Sequence, residues 1–430
     1  MSLRCPSSAS LLLYIWENLS LLSQHPCHSY VVKDFYASLL GLPKQNTYII
    51  GGSSIRMAGS IVKVCNGVCC SDSYGPAYEI NVNDRRSGLS AFLVIDNIAR
   101  GPGKGGIRMV PDATKEEVRG LARAMTWKNA LADIPFGGAK AAIVVDPHKA
   151  NKESLLRGFA KQLSLIMGNL YIAGPDMYTG EREMAVLADE LSFNVSTGKP
   201  SSMGGLPHEL GSTGYGVAVA TSTMLDSLGK DIEGMSVAIE GFGNVGTFTA
   251  SYLHSMGARI VAVSDSKGAI YNKEGLDIPK LMEVKKKRRT VTAYKKGRVL
   301  PSTKLFEVSA DIVIPGARPN AINEKNYKKV KAKYIVEAAN IPIAHPIEKL
   351  LEKAGKLVLP DFLVNAGGVI SSWAETRGYT KDEMFSIVEN KIRNNTLDVM
   401  ANRKAYTRDA AMKIARARVD DAMEKRGWLH

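Results

Sequence analysis

The sequence predicts an α/β protein of two domains, one of them built on a doubly wound parallel sheet. Two observations carry that expectation. From residue 78 onward, short apolar runs alternate with segments of helical periodicity, the pattern of parallel strands joined by crossover helices. Within that alternation lies VAIEGFGNVGTFTASYLHSMGARIVAVSD, residues 237–265. It reads as a strand, a glycine turn, a helix and a second strand, closed by an acid about twenty residues after the turn.

Each position of this unit has a separate physical reason. Gly241 permits the tight turn, and Gly243, lacking Cβ, lets a pyrophosphate approach the backbone. Gly246 lets the helix pack close to the sheet. Asn244 and Val245 open that helix, whose free N–H groups and positive dipole end face the phosphates. The unit therefore predicts a Rossmann-like dinucleotide site. Asp265 ends the second strand, where an acid accepts a hydrogen bond from the ribose 2′-OH of NAD. Ser266 and Lys267 share its turn and suit the 2′-phosphate of NADP, so both cofactors stay open.

The other elements follow in order. Glu79 to Val82 and Ala91 to Ile95 read as strands. Lys115 to Ala132 reads as a helix with Val118, Leu121, Ala122 and Met125 on one face. Ala141 to Val145 is an apolar strand ended by Asp146-Pro147, and Lys152 to Gly168 is a second helix. Asp311 to Pro315, Tyr334 to Glu337 and Leu357 to Leu359 are short buried strands, and the last sixty residues are helical and charged. Four zones result: an irregular segment at 1–75, a substrate-binding domain at 76–205, the dinucleotide domain at 206–369, and a C-terminal helical segment at 370–430 that returns to the substrate domain. Met57 is a candidate internal start.

At 430 residues, with 45% hydrophobic and 23% charged residues, the chain can bury a large core. Its formal charge of +14 could attract nucleic acid or anionic substrates. The basic run Lys285 to Arg289 lacks the aromatic interleaving of a single-strand binder and reads as a solvated helix end. All five cysteines fall in the first seventy residues, without zinc-ligand spacing, so a metal site is not expected and a reducing compartment is. The apolar run Leu11 to Trp16 is interrupted by Glu17 and is too short to span a membrane.

Three lysines stand beside glycine or an aromatic residue: Lys104 in GKGG, Lys128 in TWKN and Lys140 in GGAKA. Glycine-flanked turns would let a ligand approach Lys104 and Lys140. Lys128 lies on the apolar helix and must snorkel or face a polar cleft. Lys140 precedes a buried strand, where desolvation favours acid–base work. Lysines sharing one cleft would form a carboxylate receptor. Asp176, on a proline-stiffened turn after a strand-like run, is placed to accept a proton, or else to cap a helix.

These blocks together resemble the amino-acid dehydrogenase family that acts on glutamate, leucine, phenylalanine and valine, and within it the glutamate dehydrogenases. The resemblance covers about residues 78–430 and rests on ARGPGKGGIRM, AMTWKNALADIPFGGAKAAIVVDP, GPDMYTG, STGKPSSMGG, STGYGVA, EGFGNVG, SDSKG, VEAAN and NAGGVISSWAE in that order. It implies oxidative deamination of L-glutamate to 2-oxoglutarate and ammonium with NAD or NADP. It implies that Lys104 and Ser372 bind the distal carboxylate, Lys128 the α-carboxylate, and that Lys140 and Asp176 are catalytic. Thr213 and Asn340, in STGYGVA and VEAAN, join the cofactor contacts. The resemblance further implies a cytoplasmic homo-oligomer, a hexamer, with no nucleic-acid or membrane partner. A branched-chain or aromatic amino-acid dehydrogenase and a catalytically weak nucleotide-binding regulatory homologue stay open as alternatives.

Overall fold

The computed structural model describes residues 72–428 and the strand backbones of 54–57 and 60–65. Cys5, Cys27, Cys69, Cys70 and the Leu11–Trp16 run lie outside the described residues. The two N-terminal strands correct one expectation. The segment 1–75 was expected to be irregular, yet β1 (Ser54–Met57) and β2 (Ser60–Cys65) form an antiparallel hairpin whose second strand pairs with β3 (Tyr78–Asp84).

β1 to β3 join β4 (Leu89–Asn97), β5 (Gly103–Val110), β6 (Gly137–Val144) and β7 (Tyr171–Pro175) in one sheet, in the order β1-β2-β3-β4-β6-β5-β7. Its first four strands are antiparallel, as is the β4–β6 pair, and β6, β5 and β7 run parallel. This sheet is mixed, not purely parallel, because β1–β2 and β3–β4 are joined by short hairpins that need no crossover helix. The second sheet holds β8 (Ser236–Glu240), β9 (Arg259–Asp265), β10 (Gly268–Tyr271), β11 (Arg298–Leu300), β12 (Ile312–Pro315), β13 (Tyr334–Val336) and β14 (Leu357–Leu359). Its order is β11-β10-β9-β8-β12-β13-β14, parallel from β9 to β14 with an antiparallel edge at β10 and β11. Strand order reverses at β8, which opens a crevice at the carboxyl ends of β8 and β12.

Local chemistry sets the helix bounds. Thr114 caps the Lys115–Leu131 helix by accepting from the Glu117 N–H, with Glu116 and Glu117 in its first turn and Lys128 in its last. The helix expected at 152–168 stops at Gln162. Leu163, Ile166 and Met167 are buried beneath the first sheet, and the chain folds back to bury them, turning at Gly168 with φ +83°. The Thr407–Lys425 helix returns to the first domain. Its Val419 and Met423 share a core with Trp127 and Leu131, and Arg418 donates to the carbonyls of Ala130 and Leu131 at the end of the Lys115–Leu131 helix. Among the described residues, no helix is long and apolar enough to cross a membrane.

Candidate active site

Lys104 and Lys140 are strand residues, not turn residues. Lys104 lies in β5 and Lys140 in β6, and the two strands pair with Lys104 opposite Gly138. The flanking glycines serve strand packing. A Cβ on Gly105 would stand 1.6 Å from the Ala139 carbonyl oxygen, and one on Gly106 would stand 2.7 Å from Asp176 Cβ. Glycine at these positions lets β5 carry its lysine into a crowded interior.

Lys104 is 2% exposed, and its ammonium donates to the Ala173 carbonyl at 2.7 Å. Burial pulls its pKa down to about 7; Glu375 opposes this, and Lys199 and Lys140 add to it. Lys128 reaches from the Lys115–Leu131 helix across to the second domain, where it donates to Asn365 Oδ1 at 2.6 Å. Burial lowers its pKa to about 8, against the pull of Asp361. Neither lysine forms an ion pair with any described residue.

The second pair differs. Lys140 Nζ stands 2.9 Å from Asp176 Oδ2, and that oxygen also accepts from Arg108 Nε at 2.9 Å. Burial pushes the Asp176 carboxyl up, but Lys140 and Arg108 outweigh it and hold it below the usual carboxylate range. Asp176 is thus ionised at neutral pH. It also starts a turn, since its N–H bonds Thr179 Oγ1, but the helix that follows is capped at Gly180, so Asp176 is not its N-cap.

Ser372 is buried in the Gly367–Thr376 helix, and its hydroxyl makes no hydrogen bond to a described residue. One turn along, Glu375 holds the segment between the domains. Its carboxylate takes Lys199 Nζ at 2.5 Å and the backbone N–H groups of Gly198 and Leu206 at 2.7 and 2.8 Å. Sequence reasoning missed this pair, and it missed Arg108, Asn365 and Thr197. Thr197 Oγ1 is buried without a partner, and a Cβ on Gly174 would meet it at 4.0 Å and Lys104 Nζ at 2.5 Å. The signal was present, since these residues lie inside or beside the quoted blocks, but nothing local marks their partners.

The glycine turn follows β8. Gly241 has φ +89°, which favours glycine, and a Cβ on Gly246 would stand 1.7 Å from the Gly241 carbonyl oxygen. The fold itself therefore requires both. Gly243 is different, because a Cβ there would meet nothing within 4 Å. The open space over Gly243 fits a bound pyrophosphate. Asn244, Val245 and Gly246 form the first turn of the Asn244–Ser255 helix. Thr213, in the Ser212–Asp226 helix, faces the start of the Gly367–Thr376 helix. Exposed Asn340 accepts from Asn365 Nδ2 at 3.0 Å.

Asp265 departs from expectation. It was read as free for a ribose hydroxyl, but its Oδ2 takes Lys285 Nζ at 2.6 Å and the Val291 N–H at 2.8 Å. Its Oδ1 takes the Lys267 N–H at 2.9 Å and Thr290 Oγ1 at 3.3 Å. A carboxylate has about four acceptor positions, and all are used. The side chains of Ser266 and Lys267 remain exposed. Lys285 belongs to the basic run, so that run is not simply a solvated helix end. An open pocket of about 770 Å³ lies beside the glycine turn, lined by Phe242, Thr247, Lys285, Lys286 and Arg289. No group of three or more metal-ligating side chains occurs among the described residues.

Known proteins resemble this chain in sequence and fold. Residues 77–193 match the dimerisation domain of the Glu/Leu/Phe/Val dehydrogenases, and residues 204–427 match the Glutamate/Leucine/Phenylalanine/Valine dehydrogenase domain. A glutamate dehydrogenase of Aeropyrum pernix is 42% identical over 357 residues, 77% of this chain and 85% of that protein. An NADP-specific glutamate dehydrogenase of Saccharolobus shibatae is 39% identical over 355 residues, 77% of this chain and 84% of that protein. Among solved structures, a hetero-hexameric glutamate dehydrogenase of Thermus thermophilus superposes with a TM-score of 0.73 at 26% identity, covering 99% of each chain. The chain belongs to the Glutamate/Leucine/Phenylalanine/Valine dehydrogenase family.

Proposed function

We propose that this protein oxidatively deaminates L-glutamate to 2-oxoglutarate and ammonium, reversibly, with NAD or NADP as hydride acceptor. The observation that carries the reading is the pair Lys104, buried, and Lys128, half-buried with its ammonium shielded from water, both without carboxylate partners. A buried cation without a counter-ion is costly. Glutamate brings two carboxylates and relieves both. Leucine or phenylalanine brings one and leaves Lys104 unpaired.

The residues divide the work. Lys128 orients the α-carboxylate, while Lys104 and Ser372 hold the distal one. Asp176, already ionised, takes a proton from the substrate ammonium. Gly241–Gly246, with Thr213 and Asn340 at the cleft, would hold the dinucleotide, which would supply the acceptor for the Cα hydride. Lys140 polarises a water that adds to the resulting iminium carbon, and loss of ammonia leaves the ketone. Closure of the cleft excludes bulk water. The hexameric neighbour supports assembly as a hexamer.

Steady-state rates on glutamate, leucine and phenylalanine, with each cofactor, test the reading. Glutamate should be preferred by about a hundredfold or more, the scale of one buried charge left unpaired. Lys140→Ala should lower kcat by orders of magnitude and leave cofactor binding nearly intact. Comparable rates on leucine, or near-normal kcat in Lys140→Ala, would refute the assignment.

A further inference from the structure

His208 takes no part in the scheme above, yet it stands in the cleft. It begins the short turn His208–Leu210, just ahead of the Ser212–Asp226 helix. Its ring fits a slot between two glycines. A Cβ on Gly368 would lie 3.2 Å from its Cε1 and 3.5 Å from its Nδ1, and a Cβ on Gly198 would lie 3.7 Å from its Cδ2. Gly368 is four residues before Ser372, so the ring and the Ser372 hydroxyl share one face of the Gly367–Thr376 helix.

Charges also surround the ring. Burial first, then Lys104, hold the imidazole below the usual histidine range; Glu209 opposes them, Lys128 adds to them and Glu375 opposes least. At neutral pH the ring is uncharged and carries one N–H donor and one acceptor nitrogen. Neither nitrogen bonds a described residue. The turn itself does not need the side chain, because the Gly211 N–H bonds the backbone carbonyl of His208. A half-buried polar ring thus sits between Gly198 and Gly368, on the Ser372 face of the cleft and within the field of Lys104, with no hydrogen bond to a described residue. A neutral donor there adds attraction for an anion without repelling the lysines.

We propose that His208 donates an N–H to the distal carboxylate of the substrate, alongside Lys104 and Ser372, and so helps to select a dicarboxylic amino acid. The inference rests on the glutamate reading above. It is tested with His208→Phe, which fills the slot without a donor, and His208→Gln, which keeps an N–H. The readout is kcat/KM for glutamate divided by that for norvaline, which has no distal carboxylate. His208→Phe should lower this ratio about tenfold, the scale of one charge-assisted hydrogen bond, mainly through KM for glutamate. His208→Gln should recover part of the loss. An unchanged ratio in His208→Phe, or equal losses on both substrates, would overturn the proposal. A wild-type enzyme that does not oxidise glutamate would instead overturn the substrate reading, and the proposal with it.

Discussion

Burial of Lys104 makes substrate choice depend on pH. Its ammonium is 2% exposed and bonds one carbonyl, and burial brings its pKa to about 7 from 10.5. With that value, about half of the free enzyme carries the charge at pH 7, and about one part in a hundred at pH 9. A distal carboxylate binds the charged form. Glutamate at pH 9 must therefore bind with uptake of a proton, and its kcat/KM falls toward a limit of about tenfold per pH unit. Other groups titrate nearby, among them Lys128 with a pKa of about 8 and the substrate amine. Norvaline shares those groups but lacks the distal carboxylate, so the glutamate-to-norvaline ratio of kcat/KM cancels them. Initial rates of NAD(P)H formation between pH 6 and 9 give that ratio directly. It should fall about fiftyfold from pH 7 to 9 in the wild type, and stay low and flat in Lys104→Met. A wild-type ratio constant within threefold over that range would show that Lys104 does not meet the distal carboxylate as a charge.

The same burial makes Lys104 costly to the free protein. Its folded-state pKa lies below its unfolded value, so the cost is full below pH 7, shrinks as pH rises from 7 to 10.5, and vanishes above that. Lys104→Met should raise the melting temperature at pH 6 and raise it less at pH 9, as calorimetry would show; a loss of stability at pH 6 would contradict this. Replacing Lys286 and Arg289 together with alanine should raise KM for NADP about tenfold and leave NAD within twofold, because both side chains line the pocket beside the glycine turn. Equal losses with both cofactors would place the 2′-phosphate elsewhere. Glu375→Gln should destabilise by about 3–5 kcal/mol in denaturant titrations, since it leaves Lys199, 1% exposed, without its counter-ion. A loss below about 1 kcal/mol would show that the pair does not hold the linking segment.

Much of the fold was legible because its signals are local. The βαβ unit around Gly241 was readable since turn, helix and strand chemistry lie within thirty residues. The Lys115–Leu131 helix carries its own cap and charge pattern. Strand β5 and the first half of β6 were misread because glycine is a poor strand former, and propensity marks GKGG as a turn. The sheet accepts those glycines because β5 is packed so closely that a Cβ would collide with Ala139 and Asp176. Tertiary crowding, not propensity, decided the outcome.

Partner choice was the part that could not be read. Asp265 looked free because its partners arrive from the Ile278–Arg288 helix and just beyond it, Lys285 twenty residues on and Val291 twenty-six. Lys128 and Asn365 are separated by 237 residues, and Lys199 and Glu375 by 176. A motif fixes which group is available, and the tertiary fold fixes what already occupies it. The distinction has chemical weight here. Lys140 and Asp176 satisfy each other in the free protein, whereas Lys104 and Lys128 rest on a carbonyl and an amide, neutral partners that a carboxylate outcompetes. Asn365 also donates to the Ala338 and Ala339 carbonyls and to Asn340, so the amide that holds Lys128 is bonded to the loop proposed to contact the cofactor. The lysines left with neutral partners are the ones proposed to take a substrate, and one of them is linked through Asn365 to the second domain.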